Sequence, residues 1–211
     1  MNKTNYLILI CVISSALTWL FANESTIDYL AFSGDNLLKG RLWTLFTGLF
    51  LHSDVTHLFG NMMFFYIFGN TIEKELNQKW VLIPFFTGGV VSFLLSTQFY
   101  DPTVYMIGAS AAIFTLTAIV MLLKPLKFSF FFLMPLGLVA IIYFAFNLLA
   151  VNLGAQGNIS YVGHIIGFVV GVPFGLASSK DWHKNLLITI FLFGFYLLII
   201  WFLLPAILSL I

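Results

Sequence analysis

An all-α bundle of membrane-spanning helices is the fold class this sequence predicts. Three observations predict it. Of 211 residues, 61% are hydrophobic and only 8% charged, against about 25% charged in soluble domains. Apolar runs recur along the whole chain, giving a mean hydropathy of +1.03. Those runs are continuous, whereas a membrane β-barrel is built from short alternating segments. So little charge cannot cover a water-facing surface. A soluble enzyme, a disordered chain and a nucleic-acid binder with a basic face are therefore excluded. No hydrophilic stretch is long enough to make a soluble domain, so residues 1–211 are read as a single transmembrane domain.

A spanning helix needs about 20 mostly apolar residues. Seven segments qualify: Tyr6–Ala22, His57–Ile72, Lys79–Thr97, Gly108–Leu123, Leu126–Ala150, Ser160–Ser178 and Leu186–Leu210. The first run is read as an uncleaved helix, because Leu20 and Ala22 would hold the key positions of a poor signal-peptidase site. Trp43–Leu51 is apolar but too short to span, and reads as part of a long interfacial loop. The single cysteine, Cys11, lies in an apolar run and is read as a small packing residue. There is no internal repeat, which gives an inverted-repeat transporter no support.

The net charge of +1 names no partner, but the placement of the charges orients the chain. With the N-terminus in the cytoplasm, Lys3, Lys74, Lys79, Lys124, Lys127, Lys180 and Lys184 fall inside. Only Lys39 and Arg41, of nine basic residues, fall outside. This predicts seven spans with the C-terminus on the outer side of what is read as the cell membrane.

Polar side chains inside a bilayer are costly and are functional suspects by default. His57 and Asn61 lie four apart, on one face of the second span. Ser110 opens the fourth span and His164 the sixth. All three spans begin on the outer side in this topology, so the four residues share one depth. The set is chemically coherent. A serine hydroxyl is a poor nucleophile until a base takes its proton, and neutral histidine is the usual base. The oxyanion that follows needs preorganised donors. The Asn61 amide, the His57 ring and the backbone N–H of Ser110 at its helix N-terminus can supply them. None of the eight acidic residues lies in a span at the depth of His164. A Ser–His dyad is thus expected rather than a triad, and some other group must orient the imidazole. Phe114, four residues after Ser110, is placed to stack on His164. Each residue alone has an ordinary explanation: a packing serine, an interhelical His–Asn clamp, a satisfied core histidine. Their common depth argues otherwise. Gly163, Gly167, Gly171 and Gly175 recur every four residues and form a small-residue face. Packed on Ala109–Ala112 and Ala118, it would bring the His164 ring to Ser110.

These residues resemble those of the rhomboid intramembrane serine proteases. Trp43 to Asn61 reads W-T-L-F-T-G-L-F-L-H-S-D-V-T-H-L-F-G-N, and its Trp43, His52, His57 and Asn61 match the family's spacing. Gly69 to Glu73 resembles a Gly-x-x-x-Glu element. Gly108-Ala109-Ser110-Ala111 is similar to the Gly-x-Ser-Gly motif, and His164 to Gly171 to His-x-x-Gly-x-x-x-Gly. Each alone is a weak signal; together, in order and on the fitting helices, they are specific. The likeness spans about residues 41–178. It implies a six-helix core over about residues 1–178 plus one C-terminal helix over about 186–210. It implies Ser110 as nucleophile and His164 as general base and acid. His57, Asn61 and the Ser110 N–H would form the oxyanion hole. Phe114, Gly108, Gly163 and Gly167 would support the site, and Glu73 would be a polar anchor near the cytoplasmic end. The chain departs from the family pattern at three places: Ala111 stands for a glycine, Thr44 for an arginine and Phe114 for a tyrosine.

The expected function is therefore intramembrane serine endopeptidase. Its substrates would be transmembrane proteins in the lipid bilayer, with no cofactor, no metal and no nucleic acid involved. The loop Val151–Ile159 is a candidate cap. The fifth span, with Phe128, Phe130, Phe131, Phe132, Phe144 and Phe146, is a candidate lateral gate, and Phe146→Ala should then speed substrate access. The chief rival is a non-catalytic protein of the same fold that binds membrane-protein clients. A transporter would need more buried charge. A metalloprotease lacks its motif, there being no His-Glu-x-x-His.

Overall fold

Asn2 starts the first helix. Its side-chain oxygen accepts from the Asn5 N–H at 3.0 Å, satisfying one of the donors that a helix start leaves unpaired. In the computed structural model, which describes residues 2–155 and 160–203, α1 then runs Lys3–Phe21. Three short helices follow in the predicted interfacial loop: α2 (Glu24–Leu30), α3 (Gly34–Leu38) and α4 (Thr44–Thr47). The longer helices are α5 (Val55–Glu75), α6 (Lys79–Ser96), α7 (Ser110–Leu123), α8 (Leu136–Asn152), α9 (Tyr161–Ser178) and α10 (Trp182–Leu198). A π-helical turn, Ile199–Leu203, extends α10. Segments Lys3–Phe21, Lys79–Ser96, Tyr161–Ser178 and Trp182–Phe202 are each long and apolar enough to cross a membrane. The chain is an integral membrane protein with a helical-bundle fold. The seven predicted spans correspond to α1 and α5–α10. Residues 204–210 of the last predicted span, and 156–159 of the predicted cap, lie outside the described residues; Val151 and Asn152 of that cap belong to α8.

The fifth span departs from its predicted bounds. Phe128–Ser129 and Met134–Pro135 form a small antiparallel hairpin, and the helix begins only at Leu136. Pro135 is the reason: a proline disfavours helical backbone in the residue before it and donates no N–H to a helix. Pro135 itself sits at φ −63°, ψ 142°, ending the extended segment and starting the helix. Of the six phenylalanines assigned to the gate, only Phe144 and Phe146 are on α8.

The short α7 is the axis of the bundle. Its 14 residues reach about 21 Å at 1.5 Å per residue, less than the hydrocarbon thickness of about 30 Å. Residues 111–122 are all buried. The glycine face of α9 packs directly on it. A Cβ at Gly167 would collide with the Ala111 carbonyl, one at Gly171 with Thr115 and Ala118, and one at Gly175 with Leu122. Rising numbers meet rising numbers, so α7 and α9 run parallel and His164 comes level with the start of α7. The Thr115 hydroxyl adds a bond to the Gly167 carbonyl at 2.8 Å. Ala111 is accommodated because close approach depends on the missing side chain of Gly167 rather than on residue 111.

The far end of the bundle carries a cluster of charged contacts. The Glu73 carboxylate accepts from the Lys3 and Thr4 N–H groups and the Thr4 hydroxyl at 2.8, 2.9 and 2.7 Å, capping α1. Lys124 pairs with Glu75 at 3.0 Å, and Lys127 donates to the Thr71 hydroxyl at 3.0 Å.

Candidate active site

The site begins with a stretch of extended chain entering the bundle. The Met106 N–H donates to the Phe32 carbonyl at 2.7 Å, and the Gly108 N–H to the Gly48 carbonyl at 2.8 Å. Irregular backbone at membrane depth must be satisfied inside the protein, and these two bonds do so. Gly108 takes φ +115°, a conformation that side chains oppose. A Cβ there would also lie 3.0 Å from both Cε1 and Nε2 of His57 and 3.8 Å from Asn61 Nδ2. Glycine is needed twice over, for the turn and for the space beside His57 and Asn61.

Ser110 follows as the first residue of α7. Its N–H is one of the donors that a helix N-terminus leaves free, and its side chain is half-buried. No side-chain hydrogen bond from its hydroxyl is found among the described residues. The preceding N–H, of Ala109, points at His52 Nε2 across 3.5 Å.

Asp54 caps α5, accepting from the His57 N–H at 2.8 Å. That bond, with the Ser53 hydroxyl, holds the Asp54 carboxyl below its usual range. The Nδ1 side of the His57 ring faces Ser53, 3.1 Å from its hydroxyl and 3.4 Å from its N–H. The Nε2 side is left facing Gly108. Asn61, one turn on, has a buried Nδ2 with no hydrogen-bond partner. An unpaired buried amide is costly, so this donor is notable beside the empty space at Gly108.

His164 lies in the first turn of α9. Its ring stacks on Phe114, with centroids 4.5 Å apart and planes 7° from parallel, as the spacing predicts. Gly163 beside it has no room for a Cβ, which would lie 2.6 Å from the Ser160 hydroxyl. The other contact of His164 was not anticipated. Its Nδ1 lies 2.8 Å from Oδ1 of Asn147 on α8. Asn147 is 2% exposed, and it is an amide within an apolar span, the criterion that picked out Asn61.

His52 has a supporting place. Its Nδ1 lies 3.0 Å from the Ser15 hydroxyl on α1, its carbonyl accepts from the Trp19 indole at 2.8 Å, and its ring meets His57 edge-on at 5.1 Å. Burial pushes its imidazole down to about 3. In the same loop Arg41 pairs with Asp28 at 2.6 Å and donates to Asn36 at 3.0 Å. The bond from Arg41, with that from the Tyr105 hydroxyl, holds the Asp28 carboxyl below its usual range. Trp43 ties the same loop through its indole to the Tyr29 carbonyl at 2.8 Å.

The starts of α5, α7 and α9 thus lie at one end of the bundle and carry a serine, an imidazole stacked on a ring, and an unpaired amide beside a second imidazole. The chain as a whole is similar to known proteins. The rhomboid domain family matches residues 39–181. The mitochondrial RHOMBOID-like protein 12 of Arabidopsis thaliana is 28% identical, with 72% of this chain and 51% of that protein covered. The rhomboid protease GlpG of Salmonella paratyphi A and that of Salmonella typhi are each 25% identical, with 54% of this chain and 41% of theirs covered. The chain spans about half the length of these relatives.

Proposed function

We propose, from the premise that this chain belongs to the rhomboid family, that it is an intramembrane serine endopeptidase. Ser110 Oγ attacks the carbonyl carbon of a peptide bond in or near a transmembrane segment. His164 takes the hydroxyl proton and later gives it to the leaving amine. The tetrahedral oxyanion accepts hydrogen bonds from Asn61 Nδ2, His57 Nε2 and the Ser110 N–H. Water, activated by the same imidazole, then releases the acyl group and restores Ser110.

The observation that carries this reading is the unpaired, buried Asn61 amide facing the space kept open by Gly108. A stability role would pair that donor; an oxyanion hole leaves it waiting. The buried hydroxyls of Ser92 and Ser96 on α6 lack protein partners, and buried polar groups of that kind commonly hold water. The charge placement supports a site opening to the outer side of the cell membrane, with a cytoplasmic N-terminus.

Cleavage tests the proposal. In proteoliposomes, wild-type protein should cut a reporter containing a transmembrane segment with helix-weakening residues near its outer end. Ser110→Ala and His164→Ala should abolish cleavage while the protein stays folded. Equal cleavage by wild type and Ser110→Ala would overturn the assignment. Capture of the reporter without cleavage by either protein would favour a client-binding role.

A further inference from the structure

Among the described residues no acidic side chain bonds His164, yet its imidazole must present one bare nitrogen to act as a base. We infer that Asn147 of α8 is the residue that fixes the tautomer and orientation of His164, an inference that rests on the proteolytic reading above.

The hydrogen-bond pattern sets the direction of each bond. Asn147 Nδ2 donates to the Tyr143 carbonyl at 2.7 Å. A carbonyl oxygen only accepts, so the amide cannot be turned the other way without placing two acceptors together. Oδ1 therefore faces His164 Nδ1, at 2.8 Å, and that nitrogen must carry a hydrogen to bond it. A neutral imidazole with its proton on Nδ1 has a bare Nε2, the form a base for Ser110 requires. Stacking on Phe114 at 4.5 Å holds the plane of the ring, and Asn147 holds its rotation within that plane. Asn147 is 2% exposed, so water does not compete for the bond.

The bond keeps its sense through the reaction. When Nε2 takes the serine proton, Nδ1–H still donates to Oδ1, now from a cation, and such bonds are about twice as strong as neutral ones. Asn147 gains and loses no proton. It is a positioning residue, acting only through His164. It also sits on α8, so the base is oriented only while α8 lies against α9.

The test uses the full-length protein in detergent, with histidine labelled by ¹⁵N and His164 assigned by its absence in His164→Gln. Two variants are compared: Asn147→Leu keeps the volume and loses the acceptor, and Asn147→Asp keeps an acceptor. The wild-type His164 signal should show the proton on Nδ1. Asn147→Leu should lose that signature and reduce kcat by about 100-fold, a smaller loss than the roughly 10⁴-fold seen when a charged partner that orients a catalytic histidine is replaced, with KM little changed. Asn147→Asp should keep both to within about tenfold. An unchanged Nδ1–H signal or an unchanged kcat in Asn147→Leu would overturn the inference. So would a loss in Asn147→Leu that Asn147→Asp fails to restore while both variants melt like wild type. If the tautomer responds as expected but wild type neither cleaves reporter nor reacts with a serine-directed phosphonate, the tautomer assignment stands and the proteolytic reading falls.

Discussion

Ser110, His164, His57 and Asn61 were legible in the sequence because a polar side chain in an apolar run has to be explained. The roles proposed for them lead to direct expectations. Asn61→Ala should lower kcat by about 10²–10³-fold, the usual cost of one oxyanion donor, with KM and melting temperature little changed. A melting temperature that falls while kcat holds would make Asn61 structural. His52 gives a pH dependence. Its imidazole sits at about 3 when folded and near 6.5 when unfolded, so the unfolded state binds the extra proton between those values. The melting temperature should therefore fall as pH drops below about 6.5, and His52→Gln should flatten that fall. An unchanged slope in His52→Gln would remove His52 from the account. Asn147 carried the same sequence signal as Asn61 but had no motif around it. What could not be read was its partner: α8 and α9 meet through packing, and no spacing in the chain gives the facing of two separate helices.

The helices were read to within a few residues wherever a charge, glycine or cap marked their ends. The fifth span was misread because Phe130, Phe131 and Phe132 are as apolar in a hairpin as in a helix, and only Pro135 marks the change. The correction moves the candidate gate. Phe146 meets Tyr161 of α9 at 6.2 Å, whereas the seam between α5 and α8 is closed by Phe64 against Tyr143 at 4.6 Å. The hairpin's Phe132 backs Phe64 at 4.7 Å. If substrates pass through this seam, Phe64→Ala should raise cleavage of a membrane-embedded reporter several-fold and leave the reaction with a small phosphonate unchanged. Equal rates on the embedded reporter would count against that route. Because α8 also carries Asn147, a wide outward swing of this helix would release the base it orients.

Across the whole molecule, one end gathers the helix starts of α5, α7 and α9 with their polar side chains, and the other carries the Lys124–Glu75 ion pair and the α1 cap. Glu73 ties the latter end by three bonds from Lys3 and Thr4. Glu73→Ala should destabilise the fold by about 1–2 kcal/mol, the cost of losing a strong helix cap, without altering kcat of the folded protein; a changed kcat at unchanged stability would contradict this anchor role. The central claim is that this architecture activates Ser110. Reaction with a fluorophosphonate probe tests it most directly and needs no knowledge of the substrate. The account predicts covalent labelling of wild type at Ser110, located by peptide mass, and its loss in both Ser110→Ala and His164→Ala. Well-folded wild-type protein that takes up no label, or label that persists in Ser110→Ala, would contradict it.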